Sequence, residues 1–138
     1  MGLIFLLWIG SLLTIHAQPS GLTEKDVTVY GFNLHYGEAG SGPPLVLLHG
    51  LWGGRNEWRL NIDPLTANFR VIVLDQIGFG DSDKPHANYH NALLAQFLAG
   101  FLEALEITKA TLVGHAMGAN TTTYMPVHYP HLVERMVL

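Results

Sequence analysis

A short glycine-bounded segment, Gly114-His115-Ala116-Met117-Gly118, has the residue spacing that can present one side chain for chemistry. The spacing matches G-x-S-x-G, in which a tight turn between a strand and a helix exposes the central residue. The helix behind such a turn directs backbone N–H groups toward developing negative charge. Here the centre is Ala116, whose methyl group can neither attack a substrate nor release a proton. The segment is also compatible with a glycine-bounded turn that has no chemistry.

Two further loops place polar side chains and glycines directly after apolar runs. His49-Gly50 follows the apolar residues 45–48, and Asp75 follows the apolar residues 69–74 and precedes a glycine-rich segment at 78–83. In α/β sheets, functional loops lie at the carboxyl ends of the parallel strands. We therefore expect the loops that begin at His49, Asp75 and Gly114 to lie at one edge of a sheet.

Other reactive side chains are poor substitutes for a nucleophile at position 116. The chain has no cysteine, which excludes thiol catalysis, disulfides and cysteine-ligated zinc. Ser82 lies in the preceding loop, and the threonines at 121–123 lie inside the predicted helix. His86 and His90 could share one helical face, but the glutamate and third ligand of a zinc protease are missing. We predict neither a metal nor another cofactor.

The elements that must position these loops alternate between strand and helix. Residues 27–30 and 32–36 predict a hairpin around Gly31, and residues 45–48, 69–74, 110–113 and 133–138 predict further strands. Helices are predicted at 89–105 and from about Met117, and residues 57–66 predict a short irregular helix that Pro64 interrupts. Continuous apolar runs are typical of strands that are buried on both faces. The order indicates an α/β fold with a mostly parallel sheet and flanking helices.

Composition limits the remaining possibilities. The chain has 138 residues, of which 49% are hydrophobic and 13% charged, so a disordered or fibrous protein is excluded. The net charge of −4, without a basic run, disfavours nucleic acid as a partner. Residues 3–15 form an apolar run too short for a stable membrane span. We predict a signal peptide over 1–17, a secreted or periplasmic location, and one domain over 25–138.

The three loops, together with residues 129–138 (YPHLVERMVL), resemble the α/β-hydrolase fold superfamily. They are most similar to its lid-bearing branch of carbon–carbon bond hydrolases, esterases and epoxide hydrolases. The resemblance places Ala116 at the nucleophile position and assigns the oxyanion hole to the backbone N–H groups of Leu51 and Met117. It implies that His49, Gly50, Gly114, His115 and Gly118 support these two loops, and that the substrate is a small molecule. The oligomeric state is not indicated.

The same resemblance implies that the catalytic acid and histidine follow later in the order of the chain. The sequence is therefore expected to be the N-terminal half of the fold, up to the strand after the nucleophile turn, and to be inactive as given. Met117 favours a serine ancestor that acts on esters or on C–C bonds next to a carbonyl. The alternatives are an epoxide-hydrolase-like ancestor with an aspartate nucleophile and a secreted, non-catalytic binding protein. Pro126 is expected to distort the helix behind the turn.

Overall fold

A computed structural model describes residues 21–138. These residues form a six-stranded sheet in the order β1-β2-β4-β3-β5-β6. The strands are β1 (Thr23–Val29), β2 (Phe32–Ala39), β3 (Pro44–Leu48), β4 (Arg70–Leu74), β5 (Ala110–Gly114) and β6 (Val133–Val137). The strands β4, β3, β5 and β6 run parallel, whereas the hairpin β1–β2 joins β4 in antiparallel pairing. The predicted α/β architecture is confirmed, and the hairpin strands are longer than predicted.

The central strands β3 and β4 are buried and apolar after their first residue, because both faces of the sheet are covered. Side chains alternate across a strand, so Val46 and Leu48 pack on one face of β3 while Leu45 and Leu47 pack on the other. The first face contacts the large helices, and the second is covered by the segment around Ile62. This two-sided burial fixes β3, β4 and β5, and thereby the edge at which their loops emerge.

Three α-helices and two 3₁₀ turns connect the strands. They are α1 (Ile62–Leu65), α2 (Asn91–Ala104), α3 (Met117–His128) and the 3₁₀ turns Arg55–Trp58 and Pro130–Leu132. The irregular helix predicted over 57–66 is observed as two short pieces, the first 3₁₀ turn and α1, with Pro64 inside α1. Pro64 has no N–H to donate to the carbonyl of Leu60. Helix α2 begins later than predicted, because the Nδ1 of His90 accepts the N–H of Leu93 at 3.2 Å and caps the helix.

Helix α3 differs from expectation in tolerating its proline. It continues through Pro126 to His128, so the missing hydrogen bond falls in its last turns. Its first turn is intact, with Gly118 N–H donating to His115 O at 2.9 Å and Asn120 N–H donating to Ala116 O at 3.2 Å. The start of α3 is therefore regular despite the proline.

The predicted signal peptide lies outside the described residues. Over 21–138, no helix is both long and apolar enough to cross a membrane.

Candidate active site

The turn between β5 and α3 holds Ala116 in a rare backbone conformation. Its φ is 50° and its ψ is −111°, on the left-handed side that residues with a side chain seldom adopt. Close contacts surround it, since a Cβ at Gly114 would lie 2.4 Å from the carbonyl oxygen of Gly118. A Cβ at Gly118 would lie 2.2 Å from the carbonyl oxygen of Leu48. The two glycines are thus required for α3 to approach β3 and β5 closely.

The loop after β3 is organised by a buried histidine. The His49 side chain is fully buried; its Nδ1 lies 2.8 Å from Gly50 O, and its Nε2 accepts the Gln76 N–H at 3.0 Å. A ring nitrogen that accepts an N–H carries no proton, so Nδ1 is the protonated nitrogen and donates to Gly50. Gln76 also donates from its Nε2 to His49 O at 3.0 Å and accepts the Thr121 hydroxyl at 3.1 Å. This network joins the loops after β3 and β4 to helix α3.

Two backbone donors remain open where these loops meet. Within residues 21–138, neither the Leu51 N–H nor the Met117 N–H has a hydrogen-bond acceptor. A Cβ built on Gly50 would lie 3.3 Å from the Cβ of Ala116, so the two loops are in close proximity at this point. Met117 is the first residue of α3, where the helix dipole adds positive potential. Each of these backbone N–H groups is a donor that an oxygen with negative charge could use.

Asp75, the carboxylate after β4, is held by hydrogen bonds and an ion pair within the protein. The Asp75 side chain is 1% exposed and accepts the N–H groups of Arg55 at 2.7 Å and Asp81 at 3.0 Å. It also forms an ion pair with the guanidinium of Arg55. The same guanidinium forms ion pairs with Asp81 at 2.9 Å and with Glu24 at 3.0 Å. The hydrogen bond from Arg55 lowers the pKa of Asp81. Asp75 therefore holds the glycine-rich loop in place.

The hairpin β1–β2 carries a histidine between two carboxylates. His35 Nε2 lies 2.9 Å from Glu24, and its Nδ1 lies 2.8 Å from Asp26. Burial lowers the pKa of His35, but the hydrogen bonds to Asp26 and Glu24 outweigh it and hold the pKa above its ordinary value. Since Glu24 also binds Arg55, this group connects the hairpin to the loop after β3.

The other reactive side chains singled out in the sequence lie away from this position. The Ser82 hydroxyl is buried, donates to Asp75 O and accepts the His35 N–H at 2.8 Å. His86 precedes α2 and His90 caps it, so the two imidazoles do not share a helical face. No group of three potential metal ligands occurs among the described residues.

Three residues of the site were not predicted from the sequence, namely Glu57, Gln76 and Thr121. Glu57 accepts the Gly50 N–H at 2.9 Å and lies 3.2 Å from His115 Nδ1. Gln76 directly follows Asp75 in a loop that the sequence did single out, but its residue type does not reveal a partner on another loop. Thr121 and Glu57 carry no local signal, because their contacts cross between loops that are distant in the chain.

Comparison with known proteins supports the resemblance. A sequence model described as the alpha/beta hydrolase fold matches residues 43–138. The chain is 35% identical over 117 residues to the soluble epoxide hydrolase of Corynebacterium sp. (strain C12), covering 85% of this chain and 41% of that protein. It is 33% identical over 125 residues to the 2-hydroxymuconate semialdehyde hydrolase of Pseudomonas sp. (strain CF600), covering 88% and 44%.

Solved structures agree with these relatives. A meta-cleavage product hydrolase from Pseudomonas fluorescens IP01, which carries a serine-to-alanine substitution and is complexed with acetates, has a TM-score of 0.77 and 36% identity. That match covers 83% of this chain and 43% of the other. The chain thus spans less than half the length of each of these three proteins.

Proposed function

Because the chain belongs to the α/β-hydrolase fold family, we propose that the edge formed by the loops after β3 and β5 is a hydrolase-type site for small carbonyl compounds. The observation that carries this proposal is the left-handed backbone of Ala116 beside the unpaired N–H groups of Leu51 and Met117. A negatively charged tetrahedral intermediate is stabilised by backbone donors of this kind, which supports the proposal.

In this proposal, each residue of the two loops has a distinct role. Ala116 occupies the nucleophile position, and Leu51 and Met117 supply the oxyanion donors. His49 and Gly50 shape the first loop, whereas Gly114, His115 and Gly118 form the turn that carries Ala116. A methyl group cannot form an acyl intermediate, so the proposal includes no covalent step at position 116. Loss of a nucleophile from a catalytic triad costs about 10⁶ in rate.

The proposed reaction class is hydrolysis of an ester or of a C–C bond next to a carbonyl, with serine as the ancestral nucleophile. Met117 after the nucleophile position supports serine, by the resemblance noted above. Similarity to a 2-hydroxymuconate semialdehyde hydrolase is consistent with this class. An aspartate nucleophile remains the alternative, since a soluble epoxide hydrolase is comparably similar.

Restoring the hydroxyl tests the nucleophile position. We expect Ala116→Ser to be acetylated slowly by an activated acetate ester, because the new hydroxyl would lie beside two oxyanion donors. The buffer base takes the hydroxyl proton, and the activated alcohol of the ester leaves as its anion. Mass spectrometry after digestion would locate the acetyl group. Ala119→Ser adds the same hydroxyl three residues later inside α3 and should stay unmodified, as should the wild type. Equal acetylation at both positions would contradict the proposal.

A second candidate function is non-catalytic binding of small carboxylates. Ala116 itself favours it, because the donors persist while the nucleophile is absent. The hydrolase with a serine-to-alanine substitution that is complexed with acetates gives a precedent in a similar fold. Titration of ¹⁵N-labelled protein with butyrate should shift the amide resonances of Leu51 and Met117 first. Shifts confined to other surfaces, or none at millimolar butyrate, would contradict this function.

A further inference from the structure

The Glu57 carboxylate bridges the two halves of the proposed site. Its Oε2 accepts the Gly50 N–H at 2.9 Å, on the loop that carries Leu51. The same oxygen lies 3.2 Å from Nδ1 of His115, the residue before Ala116. One side chain therefore contacts the neighbours of both the first oxyanion donor and the nucleophile position.

The peptide groups around Gly50 show why this contact matters for the donor. The carbonyl of His49 accepts Gln76 Nε2 at 3.0 Å, and the carbonyl of Gly50 accepts His49 Nδ1 at 2.8 Å and Gly53 N–H at 3.1 Å. With Glu57 on the Gly50 N–H, both planar peptide groups that flank Gly50 are held. The Leu51 N–H lies in the same planar trans peptide as Gly50 O and opposite to it, so the two contacts of Gly50 O aim this N–H away from the loop interior. Glu57 holds the preceding peptide, and thereby the point from which this segment of the loop starts.

We propose that Glu57 is a positioning residue, which holds the peptide that precedes the one carrying the Leu51 N–H and locks this loop against the turn at Ala116. Nearby backbone supports the assignment. A Cβ at Gly53 would lie 1.8 Å from Glu57 Oε1, so the loop leaves space for this carboxylate only because residue 53 is glycine. A Cβ at Gly50 would lie 3.2 Å from His115 Nδ1, so the His115 side chain is also close to this loop.

The pair is accessible enough to be varied without unfolding the protein. The His115 and Glu57 side chains are 67% and 32% exposed, so neither belongs to the core. Glu57→Gln keeps an oxygen that can accept the Gly50 N–H but loses the negative charge opposite His115. Glu57→Leu removes both contacts at similar size. Glu103→Leu removes an exposed carboxylate from α2 and serves as the matched control.

Hydrogen exchange of single amides, followed by NMR, tests the anchoring. In Glu57→Leu, the Gly50 amide should exchange about ten- to a hundredfold faster, as expected for loss of a hydrogen bond to a charged group. The Leu47 amide, inside β3, should keep its wild-type rate. Glu57→Gln should change the Gly50 rate by less than about threefold, and Glu103→Leu should leave it unchanged.

The positioning role rests on the proposed function and needs a ligand readout. An alkyl phosphonate monoester, whose tetrahedral oxygens carry negative charge, is the probe, and the Leu51 amide shift reports its affinity. We expect Glu57→Leu to lower the affinity for the probe about tenfold, and Glu57→Gln to keep this affinity within about threefold of wild type. An unchanged affinity of Glu57→Leu for the phosphonate would overturn the positioning role. Equal acceleration of hydrogen exchange at the Gly50 and Leu47 amides would overturn it as well. If the wild type does not bind the probe, the proposed function fails, while the Gly50 rate still decides whether Glu57 holds the loop.

Discussion

Replacing Ala116 by glycine should stabilise the protein, although such a change usually destabilises. At φ 50° and ψ −111°, the backbone of Ala116 lies outside the ordinary left-handed basin, in a region that costs about 1–3 kcal/mol for a residue with a Cβ. Glycine adopts this conformation without the Cβ clash. The methyl group is exposed, so its removal forfeits little buried surface.

Two opposing contributions set the size of the gain. Relief of strain contributes about 1–3 kcal/mol, and the greater freedom of glycine in the unfolded chain costs about 0.4–1 kcal/mol. The free energy of unfolding should therefore rise by about 1 kcal/mol. For a domain of this size, that change raises Tm by roughly 4 °C.

Urea unfolding, followed by circular dichroism, measures this directly. The midpoint should increase in Ala116→Gly with an unchanged slope, which identifies a change in stability alone. Ala119→Gly is the matched control, because Ala119 lies inside α3. It should lose about 0.5–1 kcal/mol through the ordinary cost of glycine in a helix. If Ala116→Gly is destabilised as much as the control, the strained turn is refuted.

Three further changes probe the contacts that hold the site. Gly118→Ala should cost about 1–3 kcal/mol in urea unfolding, because its Cβ would lie 2.2 Å from Leu48 O. Arg55→Met should cost about 3–5 kcal/mol in the same assay, because it leaves the buried Asp75 carboxylate without its cationic partner. His35 has a raised pKa when folded, so its contribution should be complete below its ordinary pKa of about 6.5 and lost as pH rises through the folded value. The free energy of unfolding of the wild type should therefore fall between mildly acidic and alkaline pH, and His35→Gln should remove this fall.

Each of these predictions has an outcome that contradicts it. If Gly118→Ala has the same free energy of unfolding as the wild type, α3 does not approach β3 as closely as described. Arg59→Met is the control for Arg55, because among residues 21–138 the Arg59 guanidinium donates a hydrogen bond only to the Asn56 carbonyl, at 3.3 Å. Equal losses in the two arginine variants would count against the pairing with Asp75. A His35→Gln variant with the wild-type pH dependence would show that another group is responsible.

The sequence predicted the loops that form the site because local chemistry marks them. Apolar runs buried on both faces identified β3, β4 and β5, and glycines at fixed offsets identified the turn around Ala116. Boundaries were less predictable where a side chain decides them. The start of α2 depends on the imidazole of His90 accepting the Leu93 N–H, and histidine is not a common helix cap.

The contacts between loops could not be predicted, because they join residues that are far apart in the chain. Glu57 and His115 are separated by 58 positions, and Thr121 and Gln76 by 45. Polar residues on a predicted irregular helix or inside a predicted helix have many possible partners. Only the packing of α3 against the sheet determines which carboxylate, amide and hydroxyl come within hydrogen-bond distance.

A crystal structure of the wild-type protein with a bound alkyl phosphonate monoester tests the central claim most directly. We expect one phosphonate oxygen within about 2.7–3.1 Å of the backbone nitrogens of both Leu51 and Met117, with Ala116 still at positive φ. A phosphonate bound elsewhere, or Leu51 and Met117 amides that donate to protein acceptors instead, would contradict it.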